Sequence, residues 1–512
     1  MGPDPHSSTV DDVLRRSAGR HPERTALVYA DRSWTYAQLD DAVSRAAAHL
    51  LSLGLQPGER VAAVGANSDA YLLAFLGCAR AGLVHVPVNY ALTGDELAYL
   101  LAQSGSRVAL VDPELRAGVL GVLADTAVEQ VLTLHGEDDA VLQQWRSGPV
   151  NEVATVVADT DLVQLLYTSG TTSKPKGAMM THRALVHEYV STVLALGCAP
   201  EDDPLHCMPL YHSAGMHVFL MPYLAVGATN HLMTRPDVGE VLRRVEADRR
   251  GALFLAPTVW VPLANHPDLG TRDLSSLRKA FYGASIMPGP VLTRLRERLP
   301  TLGFYNCFGQ SEIGPLASVL SPVEHADRPQ SCGRPVLFVQ ARVVDDTGAD
   351  VAPDTAGELL YRSPQLCTGY WDDPHASKEA FRDGWFHSGD LVRQDAAGFI
   401  TVVDRIKDVI NTGGVLVASR EVEDALYTHP AVAEVAVIAL PHERWIEAVT
   451  AVVVLREGAS ANEAELIEHA RTSLAPFKVP KAVHLVAELP RNQSGKLLKR
   501  VLREELSADA PG

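Results

Sequence analysis

Cysteine is scarce in this chain and never closely paired. The cysteines, Cys78, Cys198, Cys207, Cys307, Cys332 and Cys367, form no C-x-x-C unit, which speaks against a disulfide frame or a zinc site and for reduced thiols. Long hydrophobic runs are missing as well: the stretch around "HVFLMPYLAVGA" is too short to cross a bilayer. Dense Lys/Arg blocks are absent. With 45 Lys+Arg against 62 Asp+Glu the formal net charge is −17, a poor match for nucleic acid or anionic membranes. The opening "MGPDPHSSTV" lacks the apolar core of a secretory signal, so a cytoplasmic location is expected. There is no internal repeat.

What remains is an ordinary globular composition, 46% apolar and 21% charged, on 512 residues. That length exceeds one compact core, so at least two domains are expected. Over the first 400 residues helical patterns alternate with short apolar runs. "TYAQLDDAVSRAAAHLLSLG" and "DAYLLAFLGCARAG" read as helices, "RVAAVGA", "VHVPVN", "RVALVD" and "QVLTLH" as strands. Such alternation implies parallel sheets built from strand–helix–strand units. Beyond Gly384 the texture shifts to a strand–turn–strand, a helix, two strands, a helix and a last strand at "AVHLV". The fold class expected is α/β: a large N-terminal domain of mixed and parallel sheets flanked by helices, with a smaller mobile α+β C-terminal domain. The charged interruption near Asp404–Asp408 places the boundary between 1–406 and 407–512. The tail "SADAPG" reads as disordered.

One loop stands out. "YTSGTTSKPKG", Tyr167–Gly177, gathers hydroxyls, glycines and lysines after the apolar run "DLVQLLY". Glycine admits close backbone approach, hydroxyls donate hydrogen bonds and lysine supplies positive charge, which together suit a phosphate chain. It is not a Walker A loop, because Pro175 stands where the second glycine belongs. Composition alone leaves a solvated Ser/Thr/Gly surface loop equally open.

The longer stretch "YTSGTTSKPKGAMMTHRAL" resembles the signature of the adenylate-forming superfamily, in its acyl-CoA synthetase branch. "PLYHSAGM", "CFGQSE", "GELLYRSPQLCTGYW", "GWFHSGDL", "DRIKD" and "PRNQSGK" match further motifs in the same order, so the likeness spans nearly the whole chain. The resemblance implies ATP-dependent conversion of a carboxylic acid to an acyl-adenylate with release of pyrophosphate, then transfer to the thiol of CoA. It also implies rotation of the small domain between the two half-reactions.

Site residues follow from the same resemblance. Thr168, Ser169, Gly170, Thr171, Thr172 and Lys176 would enclose the β- and γ-phosphates, with Ser173 where the family usually has glycine. Ser311 would bond the α-phosphate, Glu312 would hold Mg²⁺ and Phe308 would flank the adenine. Asp390, assisted by Arg405, would bind the ribose hydroxyls. Lys496 would reach from the small domain to bridge the substrate carboxylate and α-phosphate, neutralising charge in the transition state. Lys407 falls at the hinge position.

His212 stands where amino-acid-activating relatives place an aspartate for the substrate ammonium, which argues against an α-amino acid; it would close the acyl pocket beside the reacting groups. Its expected companions are Met216, Trp260, Gly283, Ala284 and Phe308, the two small residues leaving room for a bulky hydrophobic acid. No Arg or Lys lies in those segments, so a diacid is not expected. Trp260 and Met216 are equally consistent with core packing. Gly413 and Gly414 would line the pantetheine tunnel, but Val415, Leu416, Val417, Ala418 and Ser419 depart from the family's polar segment there. Ser419 is expected to N-cap the helix that follows.

Two acceptors therefore stand open: CoA, or a pantetheinyl carrier or partner enzyme acting in trans. A luciferase-like oxidative use of the adenylate shares the same motifs. A catalytically degenerate nucleotide-binding scaffold is the reading from another class; joint retention of Lys176, Glu312, Asp390 and Lys496 argues against it. A homodimer is compatible with any of these.

Overall fold

The computed structural model describes residues 6–136, 140–150, 153, 155–168, 174–285, 287–413, 415–442, 444–491 and 497–508. The signature-loop residues Ser169, Gly170, Thr171, Thr172 and Ser173, together with Gly414, Lys496 and the last residues of the tail, lie outside these.

The expected strand–helix alternation is realised in a six-stranded sheet ordered Gln130–Thr133, Val108–Val111, Arg60–Val64, Val84–Val88, Leu162–Thr168, Lys176–Thr181. Its first five strands are parallel and the last is antiparallel. The helix Asp69–Ala81 is buried along its whole length and mostly apolar, its two charged residues Asp69 and Arg80 being paired with Arg32 and Asp11. Ser68 starts it by accepting from the Tyr71 amide at 3.1 Å. A nine-stranded sheet of mixed direction lies alongside, with Lys279–Gly283 next to Gly303–Phe308 near one end.

The parallel reading does not extend through the first 400 residues. Gln340–Val344, Gly357–Arg362, Phe381–Arg382, Trp385–Gln394 and Ile400–Arg405 form an antiparallel sheet. Turns rather than helices join most of its strands, so the strand–helix alternation fails there.

After the single turn Ile406–Asp408 a fourth sheet begins at Ile410–Thr412 and includes Val415–Val417, Val432–His442, Ile446–Leu455 and Ala482–Leu485. It has its own core of Ile410, Val422, Leu426, Val435, Val449 and Leu466. The result is an α/β fold with a large N-terminal domain of mixed sheets and helices and a smaller C-terminal one. The final helix, Lys499–Ala508, was not expected, because "KLLKR" reads as a basic run; Leu502 anchors it against Ala436, Ile438 and Val452. Among the described residues no helix is long and apolar enough to cross a membrane.

Candidate active site

The strands on either side of the Ser/Thr/Gly loop pair antiparallel: Leu162–Thr168 lies against Lys176–Thr181, with Thr168 opposite Lys176. The segment Gly369–Trp371 runs along the second strand: the Met179 amide bonds to the Gly369 carbonyl at 2.9 Å, and the Trp371 amide to the Gly177 carbonyl at 2.8 Å. Gln103 adds a bond to the Trp371 carbonyl at 2.8 Å and itself accepts from the Tyr167 hydroxyl.

This pairing places Tyr370 between two of the expected site residues. The Lys176 ammonium lies 5.3 Å from the centre of the Tyr370 ring. The Tyr370 hydroxyl donates to Glu312 Oε1 at 3.1 Å, and the Glu312 carbonyl accepts from the Cys367 amide at 2.8 Å. Burial, followed by the nearby Glu312 carboxylate, pushes the Tyr370 pKa up, so the phenol keeps its proton and donates.

Ser311 opens the short turn Ser311–Ile313, and its hydroxyl lies 3.0 Å from that of Ser213, which follows His212. The acid-side segment "PLYHSAGM" is thereby joined to "CFGQSE". Gln310 extends the connection by donating to the Ser388 carbonyl at 3.4 Å. Arg405 donates to the same carbonyl at 3.2 Å and pairs with Asp390 at 2.8 Å, the two residues standing opposite each other in adjacent strands. Asp390 is only 2% exposed, so its carboxylate is fixed against the guanidinium. Phe308 ends its strand half-buried, two residues before Gln310.

The residues expected around the acid differ in burial and surroundings. His212 is half-buried, and its Nδ1 accepts from the Ala214 amide at 3.3 Å. Met216 is fully buried in the π-helical segment Ala214–Leu220. Trp260 is also fully buried; its indole donates to the Phe281 carbonyl at 3.0 Å and it meets Phe304 edge-on, which accounts for it as core. Gly283 is held to a glycine by the neighbouring strand. A Cβ there would lie 2.2 Å from the Cys307 carbonyl oxygen of the next strand. Ala284, exposed and at φ 63°, follows at the strand end.

In the small domain Gly413 has φ 66° and donates to the Trp445 carbonyl at 2.6 Å. The departing residues Val415 and Leu416 face outward, 45% and 68% exposed. Ser419 is not an N-cap. Ala418 holds that position without a side-chain bond, and Ser419 begins the helix Ser419–Tyr427. Its amide and hydroxyl both donate to Asp404 Oδ2, at 2.6 and 2.8 Å, so a carboxylate from the neighbouring sheet closes this helix start. Lys407 is exposed on the turn between the two sheets. Arg491 and Leu497, which flank the Lys496 segment, form an antiparallel bridge.

Tyr370, Ser213 and Gln310 lie within the matched motifs, yet the sequence alone assigns them no role. Each acts by contact with another motif, which spacing along the chain does not reveal.

The chain belongs to the AMP-binding enzyme family, whose main domain it matches over residues 14–371 and whose C-terminal domain it matches over residues 421–496. It is an acid–thiol ligase of the acyl-CoA synthetase branch of the adenylate-forming enzymes, using ATP to activate a carboxylic acid for thioester formation with CoA. It is 38% identical to a feruloyl-CoA synthase of an Amycolatopsis species over 488 residues, covering 95% of this chain and 97% of the relative. It is 33% identical to an indoleacetate–CoA ligase of Aromatoleum aromaticum, covering 97% and 98%. Among solved structures it matches the anthranilate CoA ligase AuaEII in complex with anthranoyl-AMP, with TM-score 0.91 and 27% identity over 99% of both chains. ATP-bound MatB from Rhodopseudomonas palustris gives TM-score 0.90 and 29% identity over 98% and 99%.

Proposed function

We propose that this ligase activates a hydrophobic monocarboxylic acid, with aryl-bearing acids the first class to test. The observation that carries the site assignment is the contact chain itself. Lys176, Tyr370 and Glu312 meet on one side of the Ser311 turn; Ser213 touches Ser311; Gln310, Ser388, Arg405 and Asp390 continue on the other. A cation, hydroxyls, and a fixed carboxylate in that order suit phosphates, α-phosphorus and ribose. On the acid side, "PLYHSAGM" and the Gly283–Ala284 strand end carry no cation for a second carboxylate. Relatives named for feruloyl, indoleacetyl and anthranoyl groups support an aromatic substrate.

Glu312 is the residue assigned to Mg²⁺. Among the described residues no cluster of three or more His, Cys, Asp or Glu could hold a metal ion. A single carboxylate that leaves the remaining positions to phosphate and water fits Mg²⁺, which supplies charge neutralisation on the triphosphate. Ser311 and Lys176 hold and orient the phosphate oxygens, and Asp390 and Arg405 fix the ribose. Lys496 brings a positive charge to the carboxylate as it attacks. The domains divide at 406/407, with Lys407 as the hinge. A cytoplasmic enzyme, acting alone or as a homodimer, completes the reading.

A panel of acids (aryl, arylalkenoic, short to long fatty, dicarboxylic) assayed with and without CoA tests this. Aryl-CoA products together with AMP are expected. Turnover confined to dicarboxylic acids would sink the substrate assignment. Adenylate that accumulates beside untouched CoA would point to a carrier in trans, the acceptor type named for the fatty acid–acyl-carrier-protein ligase ScoC, a 31% identical relative.

A further inference from the structure

Behind the Glu312 turn stands a buried carboxyl that has no cation beside it among the described residues. Glu188, on the helix His182–Leu196, is fully buried. Its Oε1 accepts from the Leu316 amide at 3.0 Å, and its Oε2 accepts from Gln365 Nε2 at 2.5 Å. Gln365, also fully buried, donates from that nitrogen to the Leu316 and Ile313 carbonyls at 3.1 and 3.3 Å. One helical turn on from Glu188, the Ser191 hydroxyl donates to Gln365 Oε1 at 2.6 Å, which sets the amide so that its nitrogen faces Glu188. Thr192 adds a 3.4 Å bond to Glu188. Burial pushes the Glu188 carboxyl up, against the opposing bonds from Leu316 and Thr192.

These bonds grip two separate segments that both reach Glu312. Ile313–Leu316 follows it directly in the chain. Gln365 lies two residues before Cys367, whose amide binds the Glu312 carbonyl, and five before Tyr370, whose hydroxyl binds its carboxylate. Gly314, at φ 107°, passes so close that a Cβ would lie 2.9 Å from Glu188 Oε2. A polar pin of this kind, satisfied by named donors and screened from water, holds one arrangement of the turn because every alternative strands a buried group.

We infer that Glu188 is a positioning residue for nucleotide binding: through Leu316 and Gln365 it fixes both segments that present Glu312 to the phosphates. The inference rests on the assignment of Glu312 made above. Glu188 itself stands in none of the matched motifs and outside the reacting groups, three residues beyond the end of the "YTSGTTSKPKGAMMTHRAL" match.

The test is Glu188→Gln, which keeps the volume and one acceptor oxygen for Leu316 but sets an NH₂ group against the NH₂ of Gln365. ATP affinity is read by calorimetry on the full chain without acid, once with Mg²⁺ and once with EDTA. The expected result is about tenfold weaker ATP binding with Mg²⁺, the scale of one lost hydrogen bond to a buried carboxyl, and a clearly smaller loss in EDTA. In turnover, KM for ATP rises while KM for the acid stays unchanged. Ser191→Ala, which only frees the Gln365 amide to turn, is expected to move the same quantities in the same direction by less. Wild-type affinity in both variants overturns the inference, as does an equal loss with and without Mg²⁺, which marks a general packing defect. If Glu188→Gln does not fold, an unshifted Ser191→Ala overturns it alone. Absence of Mg²⁺-dependent ATP binding in the unaltered protein would instead overturn the Glu312 assignment itself.

Discussion

The Tyr370 hydroxyl donates to the Glu312 carboxylate at 3.1 Å while the same ring sits 5.3 Å from the Lys176 ammonium. One aromatic side chain thus joins the cation beside the Ser/Thr/Gly loop to the carboxylate assigned to the metal. Tyr370→Phe separates the two links, since the ring remains and the donor is lost. KM for ATP is expected to rise by roughly three- to tenfold, the scale of one net hydrogen bond to a charged group, with KM for the acid unchanged. Initial rates of pyrophosphate release against ATP concentration check this.

Asp390 and Arg405 are paired at 2.8 Å with the carboxylate almost out of solvent. Asp390→Asn keeps the shape, weakens acceptance from ribose hydroxyls and leaves the guanidinium short of its counter-charge. ATP affinity is expected to fall by about tenfold or more, and the preference for ATP over 2′-deoxy-ATP to shrink. Competition between the two nucleotides in wild type and variant measures it. An unchanged preference would count against the ribose contact.

Asp404 belongs to the sheet that precedes the turn Ile406–Asp408, and Ser419 to the helix that follows it. Two bonds from Ser419 to Asp404 therefore span the Lys407 turn, and Lys499 reinforces them with a 2.6 Å bond to the Ser419 hydroxyl. Asp404→Ala is expected to alter the ratio of CoA-ester formation to pyrophosphate release while KM for ATP stays within about twofold. Stopped time courses of the two products, taken on one sample, report that ratio. Equal slowing of both steps would mean that the contact serves only stability.

Several histidines are buried, and burial is the largest influence on each. His85 and His217 flank Gln164, at 3.0 and 2.7 Å, and burial lowers both to a pKa of about 3. Burial also lowers His206 and His182 to about 4 and His231 to about 3. Each has a folded pKa below its unfolded value, so the unfolded chain takes up the protons first as pH falls. Their contribution to stability is complete above about pH 6.5 and is lost progressively from there towards pH 3. His135, raised by its bond to Asp112, acts in the opposite direction, contributing below its folded value and losing that contribution as pH rises. Thermal midpoints are expected to be flat between about pH 7 and 8 and to fall steadily below about pH 6.5. His217→Asn should lessen that slope if the assignment holds.

The elements that the sequence revealed most clearly are those whose burial is simple. The fully buried helix Asp69–Ala81 and the almost fully buried strands Arg60–Val64 and Val84–Val88 are largely apolar, so periodicity and end residues marked them. The antiparallel sheet from Gln340 to Arg405 escaped because its strands are half-exposed and joined by turns. The motifs drew attention to Lys176, Glu312, Asp390 and Arg405, which the structure links by contacts, while Trp260 and Gly283 have packing roles that a sequence does not distinguish from pocket walls. A buried tryptophan with a backbone acceptor and a glycine pressed against a carbonyl look, in a sequence, like pocket walls. Glu188 was invisible, because a lone glutamate on a helix normally reads as solvated.

The most direct test of the central claim is exchange of labelled pyrophosphate into ATP, run without CoA, with aryl acids, fatty acids or no acid. Acyl-adenylate formation is reversible, so exchange is expected only with a cognate hydrophobic acid. Lys496→Ala is expected to abolish it, by several orders of magnitude on the scale of lost transition-state charge stabilisation, while ATP still binds. Exchange that needs no acid, or that survives Lys496→Ala at the wild-type rate, would contradict the account.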